Sequence, residues 1–171
     1  MSKIDSLDSL IRESLLALAE FLSKNDWRGR EREVVSLYAF GFLVPRCRAG
    51  GPLHDPTQIG LDVAVRQLAG EGRKYLVCKD LVLWGEPAST CWDESGEAVR
   101  APMAILEWKA RTNKINQHDE KWLLDYSKFV KGFIGYAVSI NSNKALTSIM
   151  VSRANGGVLE KDWINYNILK S

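Results

Sequence analysis

The order of hydrophobic periods leaves few folds open to this chain. Apolar residues first recur at helical spacing: Leu7, Ile11, Leu15, Leu18 and Leu22 form one stripe, with Asp5 or Ser6 placed to cap the first turn. A second helical stretch, roughly Gly29 to Phe40, puts Val34, Val35 and Tyr38 on one face, and Gly41 is positioned to stop it. The period then changes to two. Ile59, Leu61, Val63 and Val65 alternate with Gly60, Asp62, Ala64 and Arg66, the pattern of a half-buried strand. Residues 74–84 and 103–110 are strand-like and apolar, and a Gly- and Pro-containing connection between them is too long for a tight hairpin. Helical spacing returns from His118 to about Lys131, with Trp122, Tyr126 and Phe129 on one side. Residues 133–141 and 146–153 read as two more strands. The resulting order, α-α-β-β-β-α-β-β, predicts one mixed sheet with helices packed against it, an α/β (α+β) domain. Trp84, Trp108 and Trp122 are expected to pack in its core.

Size and charge agree with a single domain over residues 1–171: an N-terminal helix (1–25), a core (29–140) and a C-terminal strand and extension (141–171). The 171 residues are 46% hydrophobic and 26% charged, enough to bury one core. A net charge of +2 neither requires nor excludes nucleic acid, because a local basic groove can sit inside a near-neutral total. No apolar stretch has the length of a signal peptide or membrane span, so a cytoplasmic protein is expected. Cys47, Cys78 and Cys91 are odd in number and widely spaced, which disfavours disulfides. With His54 they lack zinc-ligand spacing, and reduced thiols are expected.

The residues that invite chemistry are in "MAILEWKA", 103–110, where Glu107 and Lys109 interrupt an apolar strand. Alternation places these two on one face and Leu106 and Trp108 on the other. The preceding strand carries one acid, Asp80, also among apolar neighbours. Buried carboxylates need positive compensation, and a hard divalent cation such as Mg²⁺ or Mn²⁺ would supply it to two at once. Lys109 could then orient a water or offset charge on a phosphate. The triplet alone is weak evidence: 21 acids and 12 lysines give roughly one or two acid-x-Lys triplets by chance. A second triplet, Asp119-Glu120-Lys121, falls at a helix start, where positions i and i+2 do not face each other. Without a cation, Glu107 and Lys109 would form a buried ion pair and Asp80 would face solvent.

Asp80 followed by Glu107-Trp108-Lys109 resembles the D…(D/E)xK signature of the restriction-endonuclease-like, or PD-(D/E)xK, nuclease superfamily. The helix "EREVVSLYAFGF" is also similar to the first core helix of archaeal Holliday-junction resolvases. The resemblance spans roughly residues 29–140. It implies a restriction-endonuclease-like central mixed sheet flanked by helices, here preceded by the N-terminal amphipathic helix. By the same resemblance, Asp80 and Glu107 would bind Mg²⁺ or Mn²⁺, joined by the main-chain carbonyl of Trp108. Lys109 would position the attacking water, and Glu31 would be the assisting helix acid, with Glu33 as the competing choice. The expected activity is phosphodiester hydrolysis, with DNA as substrate ahead of RNA, and the expected assembly is a homodimer. The chain departs from the pattern in having Lys79 where the signature has Pro, a longer segment between Asp80 and Glu107, and no Q-x-x-x-Y after the signature. Asp62 and His118 are weaker candidates, and Arg111, Lys114, Gln117 and Lys121 form a polar, basic segment able to hold a phosphate backbone. The alternative is a non-catalytic module of the same fold that binds nucleic acid or protein.

Overall fold

The computed structural model describes residues 3–68 and 75–170. Its first helix, α1 (Lys3–Lys24), buries the predicted stripe: Leu7, Ile11, Leu15, Leu18 and Leu22 are each at most 1% exposed. The helix begins before Asp5, so Asp5 lies inside its first turn rather than at the cap, where a carboxylate favours the helix dipole. Helix α2 (Glu31–Tyr38) starts where expected, after Gly29, a position at which any Cβ would collide with the Trp27 ring.

Gly41 does not stop that helix. The chain widens into a π-helical stretch, Ala39–Leu43, and tightens into a 3₁₀ turn, Val44–Arg46. Leu43 is thereby kept in the core and its helical direction is preserved through Arg46.

Six strands form one sheet in sequence order: β1 (Ile59–Arg66), β2 (Leu76–Leu83), β3 (Ala104–Ala110), β4 (Ile134–Ser142), β5 (Leu146–Asn155) and β6 (Val158–Leu169). The expected start of the second strand at residue 74 lies outside the described residues. Every pairing is antiparallel except β3 with β4, which α3 (Gln117–Phe129) connects as a crossover. Asn116 caps α3 by accepting the His118 N–H at 2.9 Å. Five strands were expected from the hydrophobic pattern; the sixth is built from residues read as an extension. A two-residue turn makes it: Gly156 and Gly157 both have left-handed φ, 56° and 79°, between the paired residues Asn155 and Val158.

The sheet separates two apolar layers. On one side α1 and α2 pack over Leu81, Leu83, Leu106, Trp108, Tyr136, Val138 and Val151. On the other, Trp122, Leu123 and Tyr126 of α3 cover Val82, Ile105, Ala137 and Ala154. Phe129, expected to share the buried face of α3, is exposed instead, because the helix ends with it. Gly135 lets α3 come close, since a Cβ there would lie 2.7 Å from Leu123. Trp84, Trp108 and Trp122 are core residues, as their sequence surroundings predicted. No helix of the described residues is long and apolar enough to cross a membrane.

One strand departs from its pattern. Ile59 and Leu61 of β1 pack with the α1/α2 layer, but Val63 and Val65 belong to the α3 layer. The switch occurs at Asp62, whose φ is +50°, so the alternating residues do not share a single face.

Candidate functional site

The ladder between β2 and β3 is short. It pairs Leu81, Val82 and Leu83 with Leu106, Ile105 and Ala104, and goes no further. Beyond the Leu81–Leu106 pair, β2 stays with β1 and β3 stays with β4, so the two strands part. Asp80, Glu107, Trp108 and Lys109 all lie just past that last pair. Side chains there take up backbone groups that a longer ladder would have satisfied. The Trp108 N–H donates to Asp80 Oδ2 at 2.8 Å, and the Trp108 carbonyl accepts from Lys109 Nζ at 2.7 Å.

Glu31 enters this gap from α2 and accepts from Lys109 Nζ at 3.2 Å. Glu33 has a different task, accepting the Arg30 N–H at 2.6 Å at the start of its own helix. Across the sheet, Asp119 of α3 approaches the same ammonium, 3.9 Å from Lys109 Nζ. Lys109 therefore reaches acids from both helical layers through the gap. Burial alone would lower its pKa, but Glu31, Asp119 and Asp80 outweigh that effect and raise it, keeping the ammonium charged.

Glu107 is 8% exposed and forms an ion pair with Lys79, itself 8% exposed. The Lys79 ammonium also sits 3.6 Å from the centroid of the Trp122 ring. Thus Glu107 does not pair with Lys109 as the cation-free reading supposed; the residue standing in place of the signature's Pro takes that role. Compensation is incomplete. Burial raises the Glu107 pKa to about 7 despite Lys79, with the nearby charges of Asp80 and Asp119 adding to the rise. Burial also raises the pKa of Asp119, against the pull of Lys109 and Lys79.

Asp80 lines a small cavity of about 130 Å³ with Glu31, Arg32, Val35, Ser36, Leu61 and Asp62, on the α2 side. Asp62 reaches it because of its left-handed backbone, and its carboxylate lies 3.6 Å from the Arg32 guanidinium. On the α3 side, His118, Lys79, Lys121 and Trp122 line a larger cleft of about 580 Å³. Arg111, Lys114 and Gln117 are exposed around the loop that follows β3. Cys47, Cys78 and Cys91 are free thiols, and burial raises the pKa of each.

Two participants were not singled out from the sequence. Lys79 looked like a neutral departure from the signature. Asp119 was set aside because it cannot face Lys121 on a helix; Lys121 indeed pairs with Asp125, while Asp119 turns to Lys109 instead. Their signal was present as charge beside apolar strand and helix positions, but only the tertiary fold supplies the partners.

The donors at the gap suit a small hard cation in kind, being carboxylate and carbonyl oxygens. Among the described residues, however, no three acidic, histidine or cysteine side chains are gathered so as to hold a metal ion themselves. Such an ion would have two carboxylates and a carbonyl from the chain and would rely on water and phosphate oxygens for the rest.

The chain matches no family model, and comparisons with curated proteins and with solved structures also give no match. What the structure establishes is a mixed α/β domain with an open six-stranded sheet and three α-helices among the described residues, carrying a partly buried charged cluster where β2 and β3 part.

Proposed function

We propose that this protein is a metal-dependent nuclease that hydrolyses phosphodiester bonds in DNA, on a restriction-endonuclease-like sheet. The supporting observation is the gathering of Glu31, Asp80, Glu107 and Lys109 from three separate elements at one gap in the sheet. In this reading Asp80, Glu107 and the Trp108 carbonyl would hold Mg²⁺ or Mn²⁺. The ion, when bound, supplies Lewis-acid polarisation of the phosphate and makes a water more acidic. Glu31 and Asp119 hold the Lys109 ammonium near the reacting phosphate, where it orients the attacking water and offsets developing negative charge. Burial raises the Glu107 pKa to about 7, and a cation held there would add to Lys79 in favouring its charged form. A homodimer of the chain, one copy for each strand of a duplex, belongs to the same reading.

One observation favours a second reading, a non-catalytic binding module. Lys79 already answers Glu107, and Lys109 already answers the Trp108 carbonyl, so two internal ammonium groups compensate the cluster in part without a metal.

Nicking of supercoiled plasmid with Mg²⁺ or Mn²⁺ decides between them. Metal-dependent nicking that Lys109→Ala lowers at least 100-fold, with Mn²⁺ binding retained by calorimetry, supports the nuclease. Equal nicking by parent and variant, or none by the parent with either metal, refutes it.

A further inference from the structure

A second constellation adjoins the cluster. A cavity of about 220 Å³ is lined by Trp27, Arg28, Gly29, Arg111, Ser142, Asn143 and Lys144. Three segments meet there: the linker between α1 and α2, the residue that follows β3, and the turn between β4 and β5. Arg28, Arg111 and Lys144 bring three cations to it. Lys170 is a fourth at the same place, donating to Ser142 Oγ at 3.1 Å.

The acid that answers them is Asp26, 2.8 Å from Arg28 and 3.9 Å from Lys170. Four positive groups against this one carboxylate leave the cavity strongly cationic. Among the described residues the side chains of Arg111 and Lys144 have no ion pair or hydrogen bond. Arg111 also has a left-handed φ of +63°, an uncommon and costly conformation for a residue other than glycine. Its N–H is fixed to the Ile140 carbonyl at 2.7 Å, which ties this strained residue to the end of β4.

Position gives the constellation its meaning. Arg111 lies two residues after Lys109, and Gly29 two residues before Glu31, so the cavity begins about 7 Å of extended chain beyond the cluster. The two sites differ in charge: acids at the gap are paired with Lys79 and Lys109, whereas the cavity beside it holds the cations of Arg111 and Lys144 outside any ion pair among the described residues.

We infer that Arg28, Arg111 and Lys144 form a phosphate-binding subsite for the sugar-phosphate backbone of a nucleic acid, next to the bond that is cut. The inference rests on the phosphodiester reading above for its choice of ligand. Arg111 supplies a planar fork for two phosphate oxygens, Lys144 a point charge on the turn, and Trp27 an apolar wall. None of these groups reads a base, so the subsite contributes affinity and register without sequence preference.

The test is binding of a fluorescein-labelled 20-base-pair duplex, followed by anisotropy in EDTA, where no hydrolysis occurs, across a range of NaCl concentrations. Arg111→Gln/Lys144→Gln is compared with the parent and with Lys161→Gln, an exposed cation near the opposite end of β6. Removal of both cations should weaken binding at least 10-fold and reduce the slope of log K against log[salt] by about 2, roughly one per lost phosphate contact. Lys161→Gln should match the parent. A double variant with parental affinity and slope, equal losses in both variants, or a parent that does not bind the duplex would overturn the inference. Plasmid nicking keeps the two proposals apart. Parental binding that depends on Arg111 and Lys144, without metal-dependent nicking, removes the nuclease and leaves the subsite; nicking unaffected by the double variant, with unaffected binding, does the reverse.

Discussion

Replacing Glu107 by Gln should stabilise the protein in neutral and alkaline solution and change little in acid. The carboxyl is buried beside Lys79, and its pKa rises from an ordinary 4.5 to about 7. Below 4.5 it is protonated in both the folded and the unfolded chain, and its burial carries no charge. Between 4.5 and 7 the unfolded chain gives up this proton while the folded chain retains it, so stability falls as pH rises. Above 7 the full cost is present. At about 1.4 kcal/mol per pH unit this interval amounts to roughly 3 kcal/mol. Gln cannot ionise, and its amide oxygen still accepts from Lys79, which stays over Trp122. For a domain of this size the variant should melt roughly 6–12 °C above the parent at pH 8, with little difference at pH 4.5. Thermal unfolding followed by circular dichroism in EDTA, from pH 4.5 to 8, measures the gap. Groups distant from position 107 move both curves together, so the difference reports Glu107 with the charges coupled to it, Lys79, Asp80 and Asp119. Parallel curves for parent and variant would refute the assignment of a destabilising buried charge to Glu107.

Further expectations follow from the same geometry. Arg111→Gly should raise the melting temperature by a few degrees, because glycine relieves a left-handed strain of about 1 kcal/mol, while weakening duplex binding; an unchanged or lower melting temperature counts against strain there. Asp8→Ala should cost about 3 kcal/mol, since it leaves Arg153, which donates to both Asp8 oxygens at 2.8 and 2.6 Å, with only Glu160 at 3.7 Å, and leaves the buried Tyr136 hydroxyl, which donates at 2.7 Å, without its acceptor. Urea denaturation checks this, and a loss below about 1 kcal/mol would show that the network is dispensable.

The helices and most strands were legible because each buries a continuous stripe. Leu7 through Leu22 repeat at helical spacing and pack as that spacing requires. Where reading failed, a single backbone angle or a distant partner was responsible. Alternation in β1 is uninterrupted in sequence, yet the left-handed turn of Asp62 moves Val63 and Val65 to the opposite layer. Gly41 carries the usual helix-stop signal, but Leu43 beyond it is worth burying, and the chain continues as a wider helix. β6 is exposed along most of its length, with only Ile164 deeply buried, so its period was faint, although Asn155-Gly156-Gly157 is a good hairpin turn. At the candidate site, isolation among apolar residues marked Asp80, Glu107 and Lys109 in the sequence. It could not show that Lys79 would take Glu107, nor that Asp119 would turn from its helical neighbours toward Lys109.

The sheet's order has a consequence for how the chain is made. Each strand neighbours the next in sequence, so β1 to β6 can zip together one pairing at a time as they leave the ribosome. Helix α1 is the exception. It precedes every strand in the sequence, but the surface it covers includes β5 and β6, and Asp8 meets Arg153 across 145 residues. Until those strands emerge, the row of five leucine and isoleucine side chains on α1 has no complete surface to rest on. The apolar face of α1 thus stays only partly covered until the last two strands have been made.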